Sequence, residues 1–262
     1  MKAQLFDKSG SKKSEIALPV IFETPIREDI VQKCVEVEKF ALAQPYSHDP
    51  RAGRKHSASG TISHQRHDWK GHYGRGISRI PRKTMWRRGT QFYWIGAETT
   101  SARGGRRVHG PMLWKRQRKI NSKELILAFS SALASTASKD LVKKRYSSLS
   151  EVQTAPFVID SLPEKTKDFI KAIKSILSNA FPLALQVKVQ RAGKGKLRGI
   201  KYKSNAGLLL IKSSTEKAFY SGIDVKSVKE LLLSDLYPLG RLVLYTSAAL
   251  NEIQKVYGEN KK

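Results

Sequence analysis

The six histidines are the residues of this chain best suited to acid–base or metal chemistry. All of them (His48, His56, His64, His67, His72 and His109) fall within residues 44–119. His64, His67 and His72 are close enough in sequence to suggest a metal site. Structural zinc, however, takes four closely spaced ligands, usually with cysteine among them, and the single Cys34 lies outside the stretch. No metal and no cofactor are expected. Neither a G-x-S-x-G elbow nor a Walker sequence nor an H-E-x-x-H pair occurs in the chain. The run GHYGRG at residues 71–76 has its glycines in the reverse order of a dinucleotide fingerprint and no strand before it. In these surroundings the histidines are suited to donating to phosphates and stacking on bases.

Residues 44–119 hold 18 of the 49 Lys and Arg but only three acids, Asp49, Asp68 and Glu98, so they carry +15 of the total +27. The stretch also contains all four tryptophans and ten of the 18 glycines, without helical or strand period. Loops beyond about 12–15 residues are usually functional or disordered, and the low acid content argues against a solvated mixed-charge linker. A guanidinium is planar, pairs bidentately with phosphate and stacks on bases. Interleaved glycines allow close backbone approach, and Tyr73, Trp86, Phe92, Tyr93 and Trp94 offer rings for stacking. A small edge strand with a local core at residues 92–95 is the alternative, and it is compatible with binding. DNA readers usually present a helix to the major groove, whereas folded RNA accepts irregular arms through shape and unpaired bases. RNA is therefore the expected partner, with Arg51, Arg54, Lys55, Arg66, Lys70, Arg79, Arg82, Lys83, Arg87, Arg88, Arg103, Arg106, Arg107, Lys115, Arg116, Arg118 and Lys119 as candidate contacts. A second basic run, RAGKGKLRGIKYK at residues 191–203, alternates cations with glycines. Arg191, Lys194, Lys196, Arg198 and Lys201 suit many backbone phosphates better than one bound cofactor.

Regular elements flank the aperiodic stretch. Two short strands are expected at residues 2–7 and 15–19, around a turn at Gly10. A helix follows, with Thr24 as N-cap, Pro25 at its first position, and Ile30, Cys34, Val37 and Ala41 on its apolar face. Beyond residue 120, Asn121 and Glu124 form a predicted capping box for a helix whose stripe is Leu125, Phe129, Ala132 and Thr136. PFVID, LQVKV, GLLLI and GRLVLYT read as strands. Helical patterns follow them in SLPEKTKDFIKAIKSIL (capping box Ser161 and Glu164), SVKELLL and SAALNEIQKVY. Strands alternating with helices predict an α/β fold, a three-layer domain with a mainly parallel sheet flanked by helices. The expected organisation is a globular α/β domain at residues 1–43 and 120–262, with a very long extended basic arm at 44–119.

A pI near 10.2 calls for a polyanionic partner. No apolar run reaches the roughly 18–20 residues of a membrane span, no basic amphipathic helix with a Trp/Leu face stands out, and the start has no apolar core of signal-peptide length. A cytosolic chain with no membrane partner is expected, and the lone Cys34 suits a reducing compartment.

The segments IFETPIREDIV, GRGISRIPR, ARGGRRVHGP, SSALASTASKDLVKKR, RAGKGKLRGIKY and LGRLVLYTSAAL, in this order, resemble the large-subunit ribosomal protein L-four family in its archaeal/eukaryotic form, over nearly the whole chain. The resemblance implies a structural protein, not an enzyme, in cytoplasmic ribosomes. Its partners would be large-subunit ribosomal RNA, neighbouring ribosomal proteins and the nascent peptide. It implies that the arm threads through RNA to the exit tunnel, with Tyr73, Gly74, Arg75 and Gly76 near the constriction and Arg103, Arg106 and Arg107 on the returning strand. RNA is then expected to supply the contacts that a core would otherwise give the arm, which is expected to be disordered in the free protein. TMWRRGTQFYWIGAETT is bulkier than the family's glycine-rich stretch here, and the end at Lys262, without a long basic tail, favours the archaeal form. An RNA-processing enzyme, an RNA-binding regulator outside the ribosome and a DNA binder are the rival readings. The first needs a carboxylate pair or an activated histidine in a cleft, and the acids outside the arm sit mostly between lysines on predicted helix faces.

Overall fold

Three short apolar runs, at Phe157–Ile159, Leu209–Lys212 and Val243–Thr246, are buried over almost their whole length. Strands with helices on both faces have this character. The computed structural model describes residues 1–58, 62, 64–110, 118–146, 148, 149 and 155–258. Its elements begin with β1 (Lys2–Phe6), β2 (Lys12–Ala17) and α1 (Glu28–Leu42), followed by a hairpin of β3 (Arg82–Arg88) and β4 (Gln91–Gly96). Then come α2 (Ser122–Ala137), α3 (Lys139–Arg145), β5 (Phe157–Ile159), α4 (Thr166–Leu177) and α5 (Phe181–Ala184). The chain continues through β6 (Lys188–Gln190), β7 (Tyr202–Ser204), β8 (Leu209–Lys212), β9 (Asp224–Ser227), α6 (Leu233–Leu236), β10 (Val243–Thr246) and α7 (Ser247–Ile253).

Six strands form one sheet in the order β2-β1-β5-β10-β8-β9. β1 and β2 pair antiparallel, and every other neighbouring pair is parallel. This is the mainly parallel, helix-flanked α/β architecture expected from the sequence. Alternate strand residues enter opposite layers. Leu5, Val158, Leu209, Ile211, Val243 and Tyr245 pack with α1, α2, α6 and α7. Phe6, Phe157, Ile159, Leu210 and Leu244 pack with α3, α4 and α5.

α2 is buried continuously from Ala128 to Thr136, which its small side chains allow. Its hydroxyls are bonded: Ser130 to the Ile126 carbonyl at 2.9 Å, Ser135 to Ala132 at 2.6 Å, and Thr136 to both Leu133 and the buried Tyr245 hydroxyl. Buried hydroxyls without such partners would each cost about 1–3 kcal/mol. α1 packs against α2, and Lys33 pairs with Glu124 across them at 3.0 Å. The basic stretch leaves after α1 and returns before α2, so both its ends are anchored on neighbouring helices. The chain divides into two units, Met1–Leu42 with Gln117–Lys262, and Ala43–Arg116.

Several local expectations need correction. Thr24 closes a 3-10 turn at Val20–Glu23 by donating to the Ile21 carbonyl, and α1 begins only at Glu28. The buried face of α1 is Val31, Cys34 and Val35, rotated from the expected one, and Ala41 is exposed. Asn121 does occupy the N-cap of α2, but its side chain caps nothing and Glu124 turns to Lys33. α4 starts too late for Ser161 and Glu164 to cap it. LQVKV yields β6, which pairs antiparallel with β7 in a separate exposed hairpin. Only the first residue of SVKELLL, Ser227, belongs to β9, and only the last, Leu233, to the short α6.

Open α/β sheets usually hold ligands at the carboxyl ends of their strands. Beyond β8 and β10 internal bonds occupy that ground. Glu252 accepts from the Ser213 hydroxyl at 2.9 Å and from the Ser214 amide and hydroxyl at 2.8 and 2.5 Å. Glu216 accepts from the Ser213 amide at 2.9 Å and from Thr246 at 2.7 Å. Burial pushes the Glu252 carboxyl up, but the bonds from Ser214 and Ser213 outweigh it and hold it below its ordinary value of 4.5. Its stabilisation is therefore complete above 4.5 and is lost as pH falls through the lowered value. In urea titrations Glu252→Gln should cost about 1–3 kcal/mol at pH 7. The gap to the parent chain should narrow as pH falls below 4.5 and close through the lowered value; a gap that stays constant until the chain unfolds in acid would contradict this role.

Candidate nucleic-acid interface

The Ala43–Arg116 unit has an aromatic core of its own, which differs from the expectation that RNA alone would supply its contacts. β3 and β4 pair antiparallel from Arg82 opposite Gly96 to Arg88 opposite Gln91, with a bulge between Thr84 and Trp86. On one face Phe92 meets Trp69 and Trp94 edge-on at 5.3 and 5.2 Å, and His72 lies 5.0 Å from Trp94. Burial first, then the Arg82 charge, push the His72 pKa down, so the ring is neutral at pH 7. Lys70 sits 4.6 Å over Trp69 and 5.3 Å over Phe92 and donates to Thr84 at 2.9 Å. Arg82 covers Trp94 at 5.2 Å and Arg87 covers Trp69 at 4.5 Å. Such cation–π contacts are each worth about 0.5–2 kcal/mol. Lys70, Arg82 and the exposed Arg87 therefore take part in the arm's own packing, and Phe92 and Trp94 are half-buried in the same cluster.

The other arm cations mostly face solvent. Arg51, Arg54, Lys55, Arg66, Arg75, Arg79, Arg88, Arg103 and Arg107 are exposed, whereas Lys83 and Arg106 are half-buried. Lys55 pairs with Asp49, which also accepts the Arg51 amide at 2.9 Å. With three acids for 18 cations in residues 44–119, at least 15 have no counter-charge within the stretch. Arg79 stacks 4.3 Å over Tyr73, whose hydroxyl bonds His64 Nδ1 at 2.9 Å, and Arg75 donates to the Asp68 carbonyl at 3.2 Å. Gly74 and Gly76, at φ +75° and +64°, make the turn around Arg75 and leave it open.

Two runs far apart in sequence meet at Gly53. Its φ is +79°, and a β-carbon there would lie 2.5 Å from the Gly105 carbonyl and 2.8 Å from the Arg106 Cα. Only glycine allows this approach, which sets Arg51 and Arg54 beside the Arg103–Arg107 run. Arg118, itself exposed, lies 3.5 Å from Glu36 and 5.3 Å over Phe40 on α1, and Lys119 is exposed as well. Lys115 and Arg116 lie outside the described residues.

On the α/β unit, Arg191, Lys194, Lys196, Arg198 and Lys201 are all exposed on the β6–β7 hairpin. Leu197, Ile200 and Tyr202 project from the same hairpin. Its base is anchored by Asn205, whose amide donates to Leu183 and Leu185 and accepts from the Val187 amide at 2.8 Å. Beside it the buried Arg241 pairs with Asp224 and donates to Ala206 at 2.8 Å and Asp235 at 2.7 Å, while Gln186 donates to Asp224 at 2.7 Å. Sequence reasoning missed these anchors, because nothing in an arginine ahead of an apolar strand distinguishes a buried brace from a surface charge. Among the described residues no three His, Cys, Asp or Glu side chains are grouped to hold a metal, and no single helix is long and apolar enough to cross a membrane.

Exposed, acid-poor cations on an arm and on a hairpin define the surface of an RNA-binding protein rather than a catalytic cleft. The chain belongs to the Ribosomal protein L4/L1 family, whose model matches residues 16–256, and it is not an enzyme. It is similar to the large ribosomal subunit protein uL4 of Nanoarchaeum equitans, 34% identical over 97% of this chain and 98% of that protein. The uL4 of Thermoplasma acidophilum is also 34% identical, with the same coverage. That of Methanosphaera stadtmanae is 32% identical over 99% of both chains.

If Gly53 holds the two arginine runs together, Gly53→Val should weaken binding of the full chain to large-subunit ribosomal RNA by roughly three- to tenfold, the scale of one or two charge-assisted contacts. Circular dichroism of the α/β unit should be unchanged. Wild-type affinity in filter binding would show that the approach of Gly53 to Gly105 does not matter for RNA.

Proposed function

We propose that the chain is a structural component of the large ribosomal subunit, bound to ribosomal RNA beside neighbouring ribosomal proteins in the cytoplasm, where it aids assembly of the particle. The observation that carries this reading is the outward set of arm cations, far in excess of the arm's own acids. Folded RNA supplies dense phosphate for them, and counterion release on contact offsets the entropy of ordering the loops. The exposed cations of the β6–β7 hairpin serve as a second contact on the same RNA.

Within this reading the arm lines the nascent-peptide exit tunnel, with the turn at Tyr73, Gly74, Arg75 and Gly76 closest to the peptide. Two left-handed glycines around an exposed arginine suit such a post, because they leave the lumen side clear of bulk. The organisation follows: an α/β anchor at residues 1–43 and 120–262, and an RNA-threading arm at 44–119.

In a sucrose gradient of native lysate, the chain should stay with the large-subunit peak after low Mg²⁺ separates the subunits. In those particles a photo-crosslinker replacing Arg75 should label a stalled nascent peptide. A chain running free or with small RNAs would overturn the ribosomal reading, and labelling of RNA alone would overturn the tunnel assignment.

A further inference from the structure

On the outward face of the β3–β4 hairpin Lys83 and Ile95 are half-buried, while Trp86 and Tyr93 stay outside the arm's aromatic cluster. The composition of that face follows from the bulge. In a regular ladder Trp86 would share a face with Arg82 and Thr84, and Arg87 would take the other; the extra residue at Met85 exchanges them. Arg87 is thereby brought over Trp69 in the inner cluster. Trp86 is turned outward, directly opposite Tyr93.

Trp86 and Tyr93 remain 53% and 62% exposed, unlike Phe92 and Trp94 on the inner face. Inner packing already satisfies the hairpin, and two-stranded sheets are stable only with one face packed. Two large rings left in water on the second face thus serve something outside the unit. On β3 that face reads Lys83, Trp86, Arg88, so a cation lies one pair away on either side of the rings. Residues 82–96 contain no acid. An aromatic pair bracketed by cations matches a base with its flanking phosphates, and charge of one sign matches a polyanion better than a protein surface of mixed charge.

We propose that this outward face is a stacking site for an unpaired RNA base, with Trp86 and Tyr93 as the platform and Lys83 and Arg88 as contacts to the adjoining phosphates. The site rests on the RNA-binding reading above and specifies which feature of the RNA the hairpin takes: a base free of its helix. Duplex RNA hides its base faces in the stack and offers only phosphates and groove edges.

The test uses the full-length chain and two labelled probes in fluorescence anisotropy, a single-stranded oligo(A) of about 12 nucleotides and a blunt RNA duplex of the same length. Trp86→Leu/Tyr93→Leu, which keeps apolar side chains on the strands, should weaken single-strand binding about tenfold or more and change duplex binding less than about twofold. Trp86→Tyr/Tyr93→Phe, which keeps both rings, should bind the single strand as the parent chain does. Equal loss on both probes, no loss on either, or failure of the ring-retaining variant would overturn the stacking site. A parent chain that binds neither probe overturns the RNA-binding reading itself, and the stacking site with it.

Discussion

Like charge confined to a short length of chain is the constraint on which the rest of this structure depends. Residues 44–119 carry +15 and have too few acids to neutralise it. Self-repulsion of this size opposes compaction, and the unit meets it by three devices. Lys70, Arg82 and Arg87 lie on tryptophan and phenylalanine faces, where ring quadrupoles offset their charge. Asp49 takes up Lys55. Most of the other described cations, Arg51, Arg54, Arg66, Arg88, Arg103 and Arg107 among them, are exposed, where a dense anion can reach them. The same residue type thus has two duties within one hairpin, and the bulge at Met85 decides which arginine has which.

The α/β unit supplies what such an arm lacks. Its helices α1 and α2, packed together and joined by Lys33 and Glu124, hold the arm's two ends side by side, which limits the loop entropy of the long insertion. Its second basic hairpin is held by Asn205 and the buried Arg241, so those cations project from a fixed base. At the carboxyl ends of β8 and β10, Glu216 and Glu252 are committed to internal hydrogen bonds.

Much of this was legible in the sequence. β5, β8 and β10 are visible as apolar runs because burial on both faces confines polar residues to their last positions, Lys212 and Thr246. The exposed cations of 191–203 are visible because glycines and lysines alternate there. Two helix starts were less legible, since Thr24 and Ser161 satisfy a local capping pattern that tertiary contacts overrule, whereas Asn121 is the N-cap residue of α2 without a side-chain cap bond. Of the β3–β4 hairpin only residues 92–95 were offered, as an alternative strand, because one bulge breaks the two-residue period and the inward face carries arginine and threonine among its aromatics. The meeting of Gly53 with Gly105 and the bracing by Arg241 depend on residues distant in sequence, so no local pattern announces them.

The central claim, that the arm's charge is where the polyanion binds, is tested most directly by salt dependence. Binding of the full chain to purified large-subunit ribosomal RNA would be measured against salt, beside a chain whose residues 44–119 are replaced by a short glycine–serine link. Each phosphate neutralised adds about 0.7–0.9 to the slope of log K on log salt. The account predicts a steep slope for the full chain and loss of half or more of it without the arm. An unchanged slope in the armless chain would place the RNA on the α/β unit and contradict it.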